Sequence, residues 1–64
     1  MNKKEATVGT ILYCACINNE NVYREYKNDN EAIKQFKRLA MIRNGKLTDI
    51  SRKINNQWSK ITWR

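Results

Sequence analysis

Residues 30–44 constrain this chain most. Ala32, Ile33, Phe36, Leu39 and Ala40 recur at helical spacing. At about 100° per residue they fall within an arc of roughly 120°. The segment therefore reads as one amphipathic helix, with Lys34, Lys37, Arg38 and Met41 on its opposite side. Asn28-Asp29-Asn30 marks its start, with Asp29 or Asn30 as the cap and Glu31 at the positive end of the dipole. Asn44-Gly45 marks its stop, and Gly45 suits the left-handed position after the last turn. A helix with one apolar stripe must bury it against something else in the chain.

The segment before it is rich in strand formers. Thr7 to Ile17 carries Val8, Ile11, Leu12, Tyr13 and Ile17, and Val22 to Lys27 alternates. Between them, Asn18-Asn19-Glu20-Asn21 is turn material. With Asn19-Glu20 at the turn centre, Ile17 faces Val22, Ala15 faces Arg24 and Tyr13 faces Tyr26. Ile11, Tyr13, Ala15, Ile17, Val22 and Tyr26 then form the core face, interrupted by Arg24. Leu12, Cys14, Cys16, Tyr23, Glu25 and Lys27 take the other face.

The last segment fits two periods. As strands, Thr48–Ile54 and Gln57–Trp63 pair around a turn at Asn55-Asn56, with Ile50 facing Ile61 and Thr48 facing Trp63. As a helix, Leu47, Ile50, Ile54, Trp58 and Ile61 line one face. Ile54-Asn55-Asn56-Gln57 echoes Ile17-Asn18-Asn19-Glu20, and Ile61-Thr62-Trp63 prefers strand. Both features favour the hairpin. The predicted fold is α+β: β-hairpin, α-helix, β-hairpin, with the helix on a four-stranded, mostly antiparallel sheet. The alternative is a β-hairpin followed by a helix-turn-helix. One small domain is expected over residues 1–64, with 1–6 frayed.

Composition narrows the chemistry. The chain has 64 residues and no His, so the commonest general base and metal ligand is missing. Ser51 and Ser59 have no imidazole for a triad. Gly9 and Gly45 are too far apart for a phosphate loop. The expectation is no enzyme and no cofactor. Cys14 and Cys16 alternate onto one strand face, where a mutual disulfide is geometrically poor. They read as small apolar packing groups in a reducing compartment. A zinc site would need two chains to pool four thiolates. No apolar run reaches the length of a membrane span. Thr7, Gly9 and Thr10 interrupt any signal-peptide core. The expected location is cytoplasmic, with no membrane partner.

Charge carries the functional reading. Residues 1–32 hold four basic side chains against five acidic ones, whereas residues 33–64 hold nine against Asp49 alone. The whole formal excess of +7 therefore lies in the second half. A polarised basic surface is the electrostatic footprint of a nucleic-acid binder. The candidate binding residues are Lys34, Lys37, Arg38, Arg52, Lys53, Asn55, Asn56, Trp58, Lys60 and Arg64. In the hairpin reading Lys53, Trp58 and Lys60 share a face, so an indole stacks a base while lysines hold phosphates. Asn55 and Asn56 at the tip suit base edges. Trp63 reads as core. The same charge would also dock on an acidic protein surface, as in a small inhibitor or adaptor. A homodimer joined through Cys14 and Cys16 or a strand edge is a further possibility.

The hairpin followed by Asp29-Asn30-Glu31-Ala32 and an amphipathic helix resembles the small arm-type DNA-binding modules at the front of phage-type integrases. The hairpin–helix–hairpin order is also similar to the small immunoglobulin-binding domains. Both resemblances rest on element order, so no site residue is carried over from either. Size and composition suit an accessory protein of a phage or mobile element that binds DNA or RNA, or that binds a larger host protein.

Overall fold

The computed structural model describes residues 9–63. The expectations placed on residues 1–8 and on Arg64 lie outside that range. The element order is β1 (Ile11–Ile17), β2 (Glu20–Tyr26), α1 (Asp29–Ile42), β3 (Leu47–Ile54) and β4 (Gln57–Lys60). The four strands form one sheet in the order β2-β1-β3-β4, and every neighbouring pair is antiparallel. The helix packs on one face of this sheet. The last segment is a hairpin, so the helix-turn-helix alternative is not the fold that forms.

Two Asn-Asn dipeptides close the hairpins. Asn18 and Asn19 have φ of 55° and 65°, and Asn55 and Asn56 have 53° and 63°. Positive φ at both central residues makes the tight turn whose twist matches paired strands, and Asn tolerates it better than other side chains. The second hairpin has the register expected: Ile54 lies opposite Gln57 and Lys53 opposite Trp58. The Ile61 amide donates to the Ile50 carbonyl at 2.9 Å, just beyond β4. The first hairpin differs. Its turn centre is Asn18-Asn19, so Ile17 faces Glu20, Ala15 faces Val22 and Tyr13 faces Arg24. The pairing is two residues away from the expected one. An even slip leaves each side chain on the face alternation assigned to it, so the core set is unchanged.

The core is Tyr13, Ala15, Ile17, Val22, Ala32, Phe36, Ala40 and Ile50. Ala32 and Ala40 are small enough to let the helix approach, and Phe36 fills the space between them. Tyr26 meets Phe36 edge-on at 5.4 Å, a favourable aromatic geometry, and contacts Tyr13 at 6.0 Å with the rings tilted by 43°. Arg24 stands on the same face, opposite Tyr13, yet it lies on an edge strand and is exposed. Its guanidinium turns outward and donates to the Tyr23 carbonyl at 2.7 Å. The charge thereby stays in water.

The helix runs over Asp29–Ile42 rather than 30–44, and its cap and its left-handed closing residue each fall one position before Asp29 and Gly45. Asn28 is the cap: its side chain accepts from the Glu31 amide at 2.8 Å, and Glu31 accepts from the Lys27 amide at 2.9 Å. At the other end, the Gly45 amide donates to the Ala40 carbonyl at 2.8 Å and the Asn44 amide to Met41 at 3.0 Å. This is a Schellman closure. Asn44, with φ of 53°, supplies the left-handed residue. Gly45 has a different reason to be Gly. A Cβ there would lie 2.5 Å from Asn18 Nδ2 and 3.0 Å from Ile17 Cγ2. The first hairpin turn docks on this connector, with the Asn18 amide donating to the Lys46 carbonyl at 3.0 Å and the Lys46 amide to Asn18 Oδ1 at 3.1 Å.

Gly45→Ala is therefore expected to destabilise the fold by about 1–3 kcal/mol, the usual cost of overpacking a filled site. Chemical denaturation at neutral pH measures this, and an unchanged midpoint would show that Asn18 yields without cost.

Candidate nucleic-acid interface

Alternation along the strands divides the candidate residues between two faces. Arg52 and Ser59 share the helix-covered face with Tyr13, since the register sets Tyr13 opposite Arg52 and Arg52 opposite Ser59. Lys53, Trp58 and Lys60 stand on the other face, which no helix covers. There they join Leu12, Cys14, Cys16, Asn21, Tyr23, Glu25, Asp49 and Ser51. Lys34, Lys37 and Arg38 lie on the exposed side of α1, across the molecule from Lys53 and Lys60. The cationic half of the sequence is thus split over two opposite surfaces.

Arg52 is committed to the fold. Asp29, at the first turn of α1, accepts from the Tyr13 hydroxyl at 2.7 Å and pairs with the Arg52 guanidinium. One carboxylate thereby ties the helix start to both central strands. Asn28 takes the capping role, which leaves Asp29 free for this bridge. Lys37 Nζ sits 5.6 Å from the centroid of the Trp63 ring, a cation–π contact. Trp63 is half-buried and packs against the core beside Ile61. Lys34, Arg38, Arg43 and Lys46 make no ion pair among the described residues.

The uncovered face has a defined architecture. Tyr23 stands on β2 and Trp58 on β4, the two outer strands. At about 4.8 Å per strand, those edges are about 14 Å apart. The ring centroids nevertheless approach to 6.0 Å, inclined at 60°. Both side chains lean inward over the two central strands, Tyr23 from the position opposite Cys14 and Trp58 from the position opposite Lys53. Tyr23 is 51% exposed and Trp58 44%. Sequence reading placed Tyr23 on this face but did not pair it with Trp58, because only the sheet order brings β2 and β4 to either side of the same central strands.

Lys53 lies directly opposite Trp58, and Lys60 follows two residues on. Lys60 is 3.7 Å from Asp49, in a pair with both partners well exposed. Such a pair is weak and exchanges readily. Cys14 and Cys16 are free and half-buried on this face. Burial pushes the Cys14 thiol up, and a side-chain hydrogen bond from Tyr23 partly offsets it. Beside Lys53, a groove of about 430 Å³ runs between the start of β1 and the β3–β4 turn, lined by Thr10, Leu12, Lys53, Asn55 and Asn56 among others. Among the described residues no cluster of acidic or thiol side chains has the makings of a metal site. No helix there is long and apolar enough to cross a membrane. Comparison with known proteins finds no matching family model, no matching curated protein and no matching solved structure.

The Asp29 bridge predicts a pH effect. Burial foremost, then the Asp29 hydrogen bond and charge, raises the Tyr13 hydroxyl well above its ordinary value of 10.0. The unfolded chain ionises first, so the stability from this group is intact below about pH 10 and is lost as pH rises further. Tyr26, raised mainly by burial, adds to the same slope. Tyr13→Phe is expected to cost about 1.5–3 kcal/mol near neutrality, the range for a hydrogen bond to a charged group. It should also flatten the alkaline loss. Urea melts near neutrality and above pH 10 test both, and parallel losses in the two proteins would contradict the assignment.

Proposed function

We propose that the protein is a small non-enzymatic nucleic-acid-binding module that works through the uncovered face of its sheet. The observation that carries this reading is the half-exposed pair Tyr23–Trp58 with Lys53 and Lys60 beside it. Lysines placed on phosphates release condensed counterions and supply affinity that falls steeply with salt. Exposed rings add stacking that tolerates any base. The amides of Asn55 and Asn56, at the tip of the β3–β4 hairpin, suit hydrogen bonding to base edges. Lys34, Lys37 and Arg38 face away from this surface and act through their field, which raises the encounter rate at low salt. Arg52 serves by holding the helix in place.

A second reading has its own support. Glu25 and Asp49 share the face with Lys53 and Lys60, so its formal charges balance. A balanced face with an aromatic pair, bounded by two edge strands, also suits docking on a larger protein or adding a strand to its sheet. In this reading the chain is an inhibitor or adaptor of the phage or mobile-element type.

Fluorescence anisotropy with labelled DNA and RNA separates the two. The expected outcome is binding whose log affinity falls linearly with log salt. Lys53→Ala/Lys60→Ala is expected to shallow that slope by about 2, one per phosphate contact, and Lys34→Ala/Arg38→Ala to leave it nearly unchanged. Absence of binding to every nucleic acid at about 50 mM salt, where phosphate contacts are strong, would reject the reading. Nuclease-resistant capture of one stoichiometric protein would then establish the second.

A further inference from the structure

Building on the nucleic-acid reading of the uncovered face, we infer that the ligand is single-stranded and that one unstacked base is held between Tyr23 and Trp58. The two rings come from opposite edges of the sheet, Tyr23 from opposite Cys14 and Trp58 from opposite Lys53, and meet across the central strands with centroids 6.0 Å apart. A base sandwiched between parallel rings needs two stacking distances of about 3.4 Å, the rise between stacked bases. The observed gap is about 1 Å short of that and the rings are inclined. Turning both side chains about their own torsions supplies the difference. Both are half-exposed on the uncovered face, so the opening costs their mutual contact and the hydrogen bond of Tyr23 to Cys14, and needs no change in the backbone.

A duplex cannot use this feature. It presents phosphates and base edges, and its base faces are covered by their neighbours in the stack. Sequence-tolerant aromatic platforms act on bases that are already unstacked.

The charges give the strand a direction across the face. Lys53, Lys60 and Asp49 lie on the β3–β4 side of this face, which is net positive by one even with Lys60 paired to Asp49, whereas the charge on β2 there is Glu25. A phosphate backbone is drawn to the first side, which points its bases inward, toward Tyr23. The groove next to Lys53 at the end of the sheet, lined by Leu12, Ile54, Asn55 and Asn56 among others, has room for a neighbouring nucleotide.

The test compares labelled oligothymidylate and oligouridylate of about 15 nucleotides, near the upper site size of one small single-strand-binding fold, with a duplex of equal length. The expected result is single strands bound at least about tenfold tighter than duplex. Tyr23→Leu and Trp58→Leu are each expected to weaken single-strand binding roughly 5- to 150-fold, the range for losing one stacked base. Tyr23→Phe keeps the ring and should keep affinity. Trp63→Phe leaves Trp58 as the sole indole, and its fluorescence should be quenched on binding; this readout stands if a leucine variant fails to fold. The two oligonucleotides distinguish DNA from RNA as the source of the strand. Equal affinity for duplex, with no quenching and no effect of Tyr23→Leu or Trp58→Leu, would overturn this inference and leave the nucleic-acid reading standing. Binding to none of the three ligands would overturn both.

Discussion

A single helix covers one face of a four-stranded sheet and leaves the other bare. That constraint organises this molecule. The helix buries Ala32, Phe36 and Ala40 against Tyr13, Ala15, Ile17, Val22 and Ile50. The chain has no second helix among the described residues to cover the outer face. Side chains there must tolerate water, yet two of the largest are Tyr23 and Trp58. They recover part of the lost burial by leaning on one another across the central strands. The same posture keeps half of each ring open to a ligand.

The cations are organised by a second constraint, the need to attach the helix at its start. Few apolar groups hold α1 down, and the Asp29 bridge to Tyr13 and Arg52 adds a directional tie to both central strands. This takes Arg52 out of the set available to a partner. Alternation then sends Lys53 and Lys60 to the outer face, while the helix carries Lys34, Lys37 and Arg38 to the other side. The basic half of the sequence is not one basic pole of the fold. A partner on the sheet face meets two lysines, two aromatics and two acids, and feels the helix cations only as a screened field.

Much of the fold was legible because periodicity is a local property. The helix stripe needed only its own spacing. The core face of the first hairpin was correct even with the turn misplaced, since a slip of two residues preserves alternation. The two Asn-Asn tetrapeptides close their hairpins in the same way, and extending the echo from the second to the first would have placed the first turn correctly. Cap positions were less legible. Asn28, Asp29 and Asn30 are all adequate caps by residue type, and the choice among them depended on Tyr13 and Arg52 needing Asp29. Gly45 looked like a left-handed residue, but its smallness answers to Asn18, a neighbour brought in by tertiary packing.

What the amino-acid order determined by itself was the identity of the elements, the parity of each strand and the excess of positive charge after residue 32. Each follows from spacing along the chain. The strand order β2-β1-β3-β4 was decided only on folding, and with it the meeting of Tyr23 with Trp58 and the removal of Arg52 into a bridge. The physical reason is that these are pairings between segments far apart in sequence. Their partners are chosen by which edges the single helix leaves free to join, and no periodicity within any one segment records that choice.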